Sequence, residues 1–234
     1  TDFINFRADD TIMIYVDKTS SGSDETYWQT SAKFRDTTNW YHIFVKYTLS
    51  ESSNADKVKL YVNGTSVSLT ASQTGSAVTS SRLLTSGTRI RIGNYFNNNY
   101  YLDAYLAEYN LIDGDADYTD FGELKNGVWI PKAISGLTYG TNGFRLTFAD
   151  SSSLGDDTSG NGNDFTASGL ASTDVVTDSP TNNFANFSVL NSDSNTTLYE
   201  GGLRATMGGS GNYDQVRSDF GLSSGKWYWE VYVE

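Results

Sequence analysis

A segment rich in Tyr and Asn at residues 94–101 has the side chains of a carbohydrate-binding loop. Aromatic rings stack on the C–H faces of sugars, and planar carboxamides hydrogen-bond to neighbouring hydroxyl groups. The alternative is that the rings pack against a neighbouring subunit, because an exposed aromatic patch marks an interface of some kind. The candidate carbohydrate-binding residues are Asn94, Tyr95, Asn97, Asn98, Asn99 and Tyr100.

A second segment, residues 156–164, is rich in oxygen ligands. Calcium takes about six to eight oxygens, and alternate Asp and Asn side chains on a Gly-containing loop supply several of them. The simpler interpretation, which we favour, is a turn in which Asp and Asn bond the local backbone. Residues 113–117 form a weaker version of the same pattern. The candidate calcium ligands are Asp156, Asp157, Asn161, Asn163 and Asp164.

The chain has one histidine and no cysteine, which limits the catalytic chemistry available to it. His42 shares a strand face with Trp40 and Phe44, so we predict a packing or hydrogen-bonding role for it rather than catalysis. The absence of cysteine excludes disulfides, zinc clusters and thiol catalysis, and favours folding in a reducing cytoplasm, including virus particles assembled there.

The net charge of −12 and the pI near 4.4 predict that the protein does not bind nucleic acid, which requires clustered Lys and Arg. No apolar run approaches the ~20 residues of a membrane span, so we predict no membrane partner.

Alternation of apolar and polar residues predicts an all-β protein. Residues 40–47, 57–64, 89–94 and 101–110 alternate with period two, as strands with one buried face do. The Asn63-Gly64 pair between two such runs predicts a hairpin, because both residues accept positive φ.

The rest of the chain is predicted to be more varied. A short helical turn is expected within residues 120–132, capped by Asp120 and stopped at Asn126-Gly127. A strand follows at 143–149, then a loop at 150–168 and an extended connector at 169–197. Strands at 198–207 and 226–234 begin a second β-unit, in which Trp227 and Trp229 are expected to pack in a core. Because the chain opens and closes within strands, we expect it to be a piece of a longer protein.

Three stretches resemble known families. Residues 1–113, with "WYHIFVKYTLS", "KVKLYVNG", "IRIGN" and "YLDAYLAEYNLIDG", resemble laminin-G-like or concanavalin A-like jelly-roll domains. Residues 119–185, from "TDFGELKNGVWIPK" to "TDSPTNNFA", resemble a module of tailed, especially marine, bacteriophage structural proteins. Residues 224–234, "SGKWYWEVYVE", are similar to the opening strands of a SPRY domain.

These resemblances imply a concanavalin A-like antiparallel β-sandwich at 1–119 that lacks its first strands, a connector at 120–197, and a truncated SPRY-like sandwich at 198–234. Glucanases of the concanavalin A-like fold place catalytic carboxylates at alternate positions of one strand, in a Glu-x-Asp-x-x-Glu pattern. The nearest acidic pair here, Asp103 and Glu108, is five residues apart and falls on opposite faces of a regular strand. We therefore predict that the protein is not an enzyme.

The expected function is that of a phage virion protein, such as a tail fibre, spike or decoration protein, exposed on the particle and attached to host-surface glycans. Its expected partners are other virion proteins, further copies of itself and the glycan. Two alternatives stay open: a purely structural capsid or tail component, and a polysaccharide depolymerase.

Overall fold

The computed structural model describes residues 2–17, 24–37, 39–83, 89–95, 99–208 and 213–233. These residues form antiparallel sheets with almost no helix, which confirms the all-β prediction. No helix among them is long and apolar enough to cross a membrane. The N-terminal strands are β1 (Phe3–Phe6), β2 (Ile12–Asp17), β3 (Glu25–Thr30), β4 (Ile43–Tyr47), β5 (Val58–Val62), β6 (Thr65–Val67) and β7 (Leu69–Thr74), with one helix, α1 (Asn54–Lys57).

Two sheets pack face to face as a β-sandwich. The first sheet has the order β1-β2-β3-β7 and the second the order β4-β5-β6. Alternate residues of every central strand point into the space between the sheets, where apolar side chains lose their contact with water. Trp28 lies at the centre, and its indole Nε1 donates to the backbone oxygen of Asn54 at 2.7 Å. The buried core is Ile12, Ile14, Val16, Trp28, Val58, Leu60, Val62 and Val78.

Smaller antiparallel pairs follow the sandwich. Strand β8 (Asn94–Tyr95) pairs with β9 (Asn99–Tyr101), and β10 (Tyr109–Leu111) pairs with β13 (Phe144–Leu146). The predicted strands at 89–94 and 101–110 are therefore largely wrong, because residues 89–93 and 102–108 are irregular. The remaining strands are β11 (Gly122–Lys125), β12 (Val128–Pro131), β14 (Phe187–Ser192), β15 (Thr196–Tyr199), β16 (Arg204–Met207) and β17 (Val216–Ser218).

Both Asn-Gly pairs make hairpin turns. Asn63 and Gly64 have φ of 48° and 72° and join β5 to β6, as predicted. Asn126 and Gly127 have φ of 52° and 82° and join β11 to β12, so the helical turn predicted within 120–132 is wrong. Two consecutive positive φ values suit a tight hairpin better than a helix end. The helical turn lies earlier, as a 3₁₀ helix at Tyr118–Asp120.

The C-terminal residues differ from the sequence prediction. Strands β14 and β17 pair with each other, as do β15 and β16, and further 3₁₀ helices lie at Ser172–Asp174 and Glu200–Gly202. Residues 226–233 form no strand, and Trp227 and Trp229 are 64% and 75% exposed. The predicted core role of these two tryptophans is wrong, because alternation gives a buried face only where another sheet packs against it.

Trp129 on β12 covers the outer face of the second sheet. Its ring stacks on His42 with 5.6 Å between centroids, and its Nε1 donates to Nδ1 of His42 at 3.1 Å. The ring also lies directly over Gly64 and Gly122, so that a Cβ on either glycine would approach it to within 2.5 Å. The β11–β12 hairpin thus packs on the sandwich through one indole.

The 3₁₀ helix beside this hairpin extends the cover. Tyr118 stacks on Tyr61 of β5 with 4.3 Å between ring centroids. The ring centroids of Phe121 and of Phe44 on β4 are 5.8 Å apart. Residues 118–131 therefore shield one outer face of the sandwich from solvent.

Alanine substitutions at the two hairpin glycines test the Trp129 contact. A Cβ at Gly64 would lie 2.2 Å from the Trp129 ring, whereas a Cβ at Gly127 would meet no atom within 4 Å. We expect Gly127→Ala to lower the free energy of unfolding by about 1–2 kcal/mol, because a Cβ is strained in the left-handed backbone conformation of this residue. We expect Gly64→Ala to lower it by roughly 2–4 kcal/mol because Trp129 must also move. Denaturant titration measures both values.

The control is the same pair of substitutions in a Trp129→Ala background. With the indole removed, the two glycine substitutions should lower the free energy of unfolding by the same amount, since only backbone strain remains. Equal costs in the presence of Trp129 would show that the indole does not pack over Gly64.

Candidate carbohydrate-binding site

The β8–β9 hairpin presents two tyrosines to solvent. The ring centroids of Tyr95 and Tyr100 are 6.1 Å apart, and the two side chains are 39% and 81% exposed. Tyr100 has a φ of 56°, a conformation that is rare for a bulky side chain. Strained backbone of this kind concentrates at binding and catalytic sites, where the surrounding structure maintains it.

Tyr95 continues into a row of aromatic rings on the first sheet. Its ring meets Phe3 edge to face with 5.1 Å between centroids, and Phe3 stacks on Tyr15 at 4.7 Å. The Tyr15 hydroxyl donates to the Glu25 carboxylate, and burial together with this carboxylate raises the pKa of Tyr15. We call Tyr100, Tyr95, Phe3 and Tyr15 the aromatic row. It lies on the outer face of the first sheet, opposite to the core.

The structure describes only part of the predicted carbohydrate-binding loop. Asn97 and Asn98 lie outside the described residues, as does the side chain of Asn99. Asn94 is half-buried at the start of β8, where it pairs with Tyr101. Sequence reasoning missed Phe3 and Tyr15. The strand register identifies them, because Phe3 lies opposite Tyr15 across β1 and β2.

The oxygen-rich loop centres on the buried Asp157 carboxylate. Oδ1 accepts the backbone N–H groups of Arg145 and Ser159, both at 2.9 Å. Oδ2 accepts the Ser159 hydroxyl and the backbone N–H of Asn163, also at 2.9 Å. Burial acts to raise the pKa of Asp157, but these hydrogen bonds outweigh it and hold the pKa below 3.8. The carboxylate thus organises the loop as an ionised acceptor.

The other candidate calcium ligands also bond within the protein, apart from Asp156, which is exposed. Asp164 Oδ1 accepts the backbone N–H of Asp157 at 2.9 Å. The side-chain amides of Asn161 and Asn163 donate to backbone carbonyls of residues 140–143, at 2.6–3.1 Å. These contacts are those of a locally bonded turn. In the described parts of the chain, no three His, Asp or Glu side chains are grouped as a metal site. Calcium binding stays a prediction.

Asp103 and Glu108, the acidic pair considered for glycoside hydrolysis, lie in different surroundings. Residues 102–108 are irregular, so the regular strand assumed for Asp103 and Glu108 does not form. Asp103 is exposed. Glu108 forms a bidentate ion pair with Arg145, with both N–O distances at 3.0 Å. Glu108 is thus held by a neighbouring strand.

His42 has the hydrogen-bonded role that its position predicts. Because Nδ1 accepts the Trp129 indole N–H, the neutral ring carries its proton on Nε2. Burial lowers the pKa of His42, which favours this neutral form. His42 thus helps to hold Trp129, and with it the β11–β12 hairpin, on the outer face of the second sheet.

Two depressions lie on the surface of the described residues, and polar or charged residues form most of each lining. The larger, about 440 Å³, is lined by lysines and carboxylates, including Lys46, Lys59, Glu51, Asp56 and Asp117. The smaller, about 240 Å³, lies on the first sheet and is lined by Tyr27, Gln29, Thr30, Ser31, Thr70 and Ser72. The second depression shares its sheet face with the aromatic row.

Comparison with protein families supports the fold. Residues 1–115 match the laminin G model of the concanavalin A-like lectin/glucanases superfamily. The matched segment contains β1 to β10, and therefore both sheets of the sandwich and the whole aromatic row. The superfamily includes lectins and glucanases, and the match is consistent with a carbohydrate-binding domain. Searches of curated proteins and of solved structures gave no match.

Asp157→Asn tests the role of the oxygen-rich loop. The amide replaces one carboxylate oxygen by a donor that faces N–H or O–H groups, so we expect the free energy of unfolding to fall by about 2–3 kcal/mol. Because the folded pKa of Asp157 lies below its unfolded value of 3.8, its contribution is present above that pH and lost as the pH falls through the folded pKa.

Asp156→Asn is the matched control, because Asp156 is exposed on the same loop. We expect it to change the free energy of unfolding by less than about 0.5 kcal/mol. Thermal unfolding with added calcium or EDTA distinguishes the two interpretations of the loop. A calcium-dependent rise in Tm that disappears in Asp156→Asn would contradict the locally bonded turn.

Proposed function

We propose that this protein binds carbohydrate through the aromatic row without chemically altering it. The observation that carries the proposal is the run of neighbouring rings from Tyr100 through Tyr95 and Phe3 to Tyr15, spaced 4.7–6.1 Å apart on one open sheet face. The rings lie within the segment that matches a superfamily of lectins and glucanases.

The physical basis is the burial of sugar C–H groups against aromatic carbon. Tyr100 exposes most of its ring to water, so covering it with a ligand removes apolar surface from solvent. The edge contact of the Tyr100 ring with Tyr95, at 6.1 Å between centroids, restricts the ring before the ligand arrives, which lowers the entropy lost on binding.

The proposed reaction class is binding, not hydrolysis. Glycoside hydrolysis requires two carboxyl groups that flank the scissile bond. Glu25, the carboxylate bonded to the aromatic row, already accepts the Tyr15 hydroxyl. Asp17 lies opposite Glu25 on the same sheet face, but Asp17 is buried and out of reach of a ligand. A depolymerase would instead use the carboxylates of the larger depression, Glu51, Asp56 and Asp117.

The proposed setting is the surface of a bacteriophage particle, where the module attaches the virion to host-surface glycans. The support for this setting is the resemblance of residues 119–185 to modules of tailed-phage structural proteins. Many copies on one particle would give avidity, so that weak binding at each site is sufficient. Other virion proteins and further copies of the chain are the proposed structural partners.

Tyr100→Ala tests the proposal on an array of bacterial-surface and neutral glycans. We expect the variant to bind the selected glycan about ten-fold more weakly, because one aromatic contact contributes about 1–1.5 kcal/mol. We expect its folding to be unchanged, since Ala keeps the Cβ that is strained at positive φ and the ring it removes is largely exposed. Equilibrium binding and denaturant titration measure the two effects.

Tyr213→Ala is the matched control, because Tyr213 is 95% exposed and lies outside the aromatic row. It should leave glycan binding unchanged. If the wild-type protein binds no glycan, or if both variants bind as the wild type does, the proposal is wrong. Release of reducing ends from a bound polysaccharide would support the depolymerase alternative instead.

A further inference from the structure

The outer face of the first sheet extends beyond the aromatic row. Tyr15 lies directly opposite Tyr27 of β3, which in turn lies opposite Ser72 of β7. Side chains at opposed positions of antiparallel strands share a face and have Cβ atoms about 4.5–5.5 Å apart. One line of side chains therefore crosses all four strands, from Phe3 to Ser72.

A second, polar line runs beside it on the same face. Gln29 of β3 lies opposite Met13 of β2 and Thr70 of β7. The side-chain N–H₂ of Gln29 donates to the Thr11 hydroxyl at 3.0 Å, which fixes the orientation of the amide. Among the described residues, the carbonyl oxygen of that amide accepts no hydrogen bond. Tyr27, Gln29, Thr70 and Ser72 line the depression of about 240 Å³.

We propose that this depression is a second sugar subsite, which continues the aromatic row and makes the whole face a site for an extended neutral oligosaccharide. The inference rests on the proposed function and goes further, because it names the length and charge class of the ligand. Tyr27 supplies a ring, while Gln29, Thr70 and Ser72 supply acceptors and hydroxyl groups for the sugar.

The charge of this face selects a neutral ligand. Glu25 lies opposite Asp17 on β2 at one end of the face. At the other end Asp9, within 3.5 Å of the Gln29 amide, is paired with Arg7, so the net negative charge lies at the Glu25 end. The whole chain carries a net charge of −12. Uronic or sialic acids would therefore meet like charge, which raises the free energy of their bound state.

The test compares a disaccharide with a hexasaccharide of the neutral glycan that the wild-type protein binds. We expect the hexasaccharide to bind the wild-type protein about ten-fold more tightly, since it covers at least one more aromatic ring. Tyr27→Val, which keeps a strand-forming residue, should remove this advantage without changing disaccharide affinity. Ser72→Arg should do the same by filling the depression, which provides a second variant if Tyr27→Val folds poorly.

Ser66→Arg on β6 is the control, because Ser66 is exposed on the other sheet, and it should leave both affinities unchanged. The second subsite would be overturned if the wild-type protein bound both lengths equally, or if both variants kept the tighter binding of the hexasaccharide. The proposed function would still stand in that case, provided that Tyr100→Ala weakens glycan binding. Failure of the wild-type protein to bind any neutral oligosaccharide would overturn the proposed function itself. Tighter binding of an acidic hexasaccharide than of its neutral counterpart would overturn the charge selection.

Discussion

The packing of two β-sheets around Trp28 is the constraint on which the rest of the structure depends. Successive residues of a strand point to opposite sides, so placing Ile14 and Leu60 in the core forces their neighbours outward. Each sheet therefore gains an outer face whose composition is tied to the register of its strands. The proposed ligand-binding surface and the packing of the later segments both follow from what lies on those two faces.

The two outer faces are used in different ways. The face of β4 and β5 is covered by later residues, since Trp129 packs on His42 and Tyr118 packs on Tyr61. The face of the first sheet keeps its aromatic row accessible, with Tyr100 extending it into solvent. The family match ends at residue 115, before the covering residues begin. The covering residues thus lie outside the matched segment, and they leave the outer face of the first sheet uncovered for the proposed ligand.

Local signals in the sequence predicted the sandwich well and the later segments poorly. Period-two alternation located β4 and β5, and Asn63-Gly64 located the hairpin, because these features depend on neighbouring residues only. The packing of Trp129 on His42 joins residues 87 positions apart, and nothing local indicates it. The exposure of Trp227 was missed for the same reason, because alternation does not say whether another sheet covers the strand. In the candidate site, sequence composition found Tyr95 and Tyr100, but only the strand register adds Phe3 and Tyr15.

We infer that the outer face of the first sheet is the ligand-binding surface. Backbone and aromatic chemical shifts, recorded while the neutral oligosaccharide selected by the array is added, test it most directly. We expect shifts to change for Tyr15, Tyr27 and Tyr100 in one contiguous surface, while those of Trp129 on the covered face stay unchanged. Changes centred on Trp129 or on Asp157, with none along the aromatic row, would contradict it.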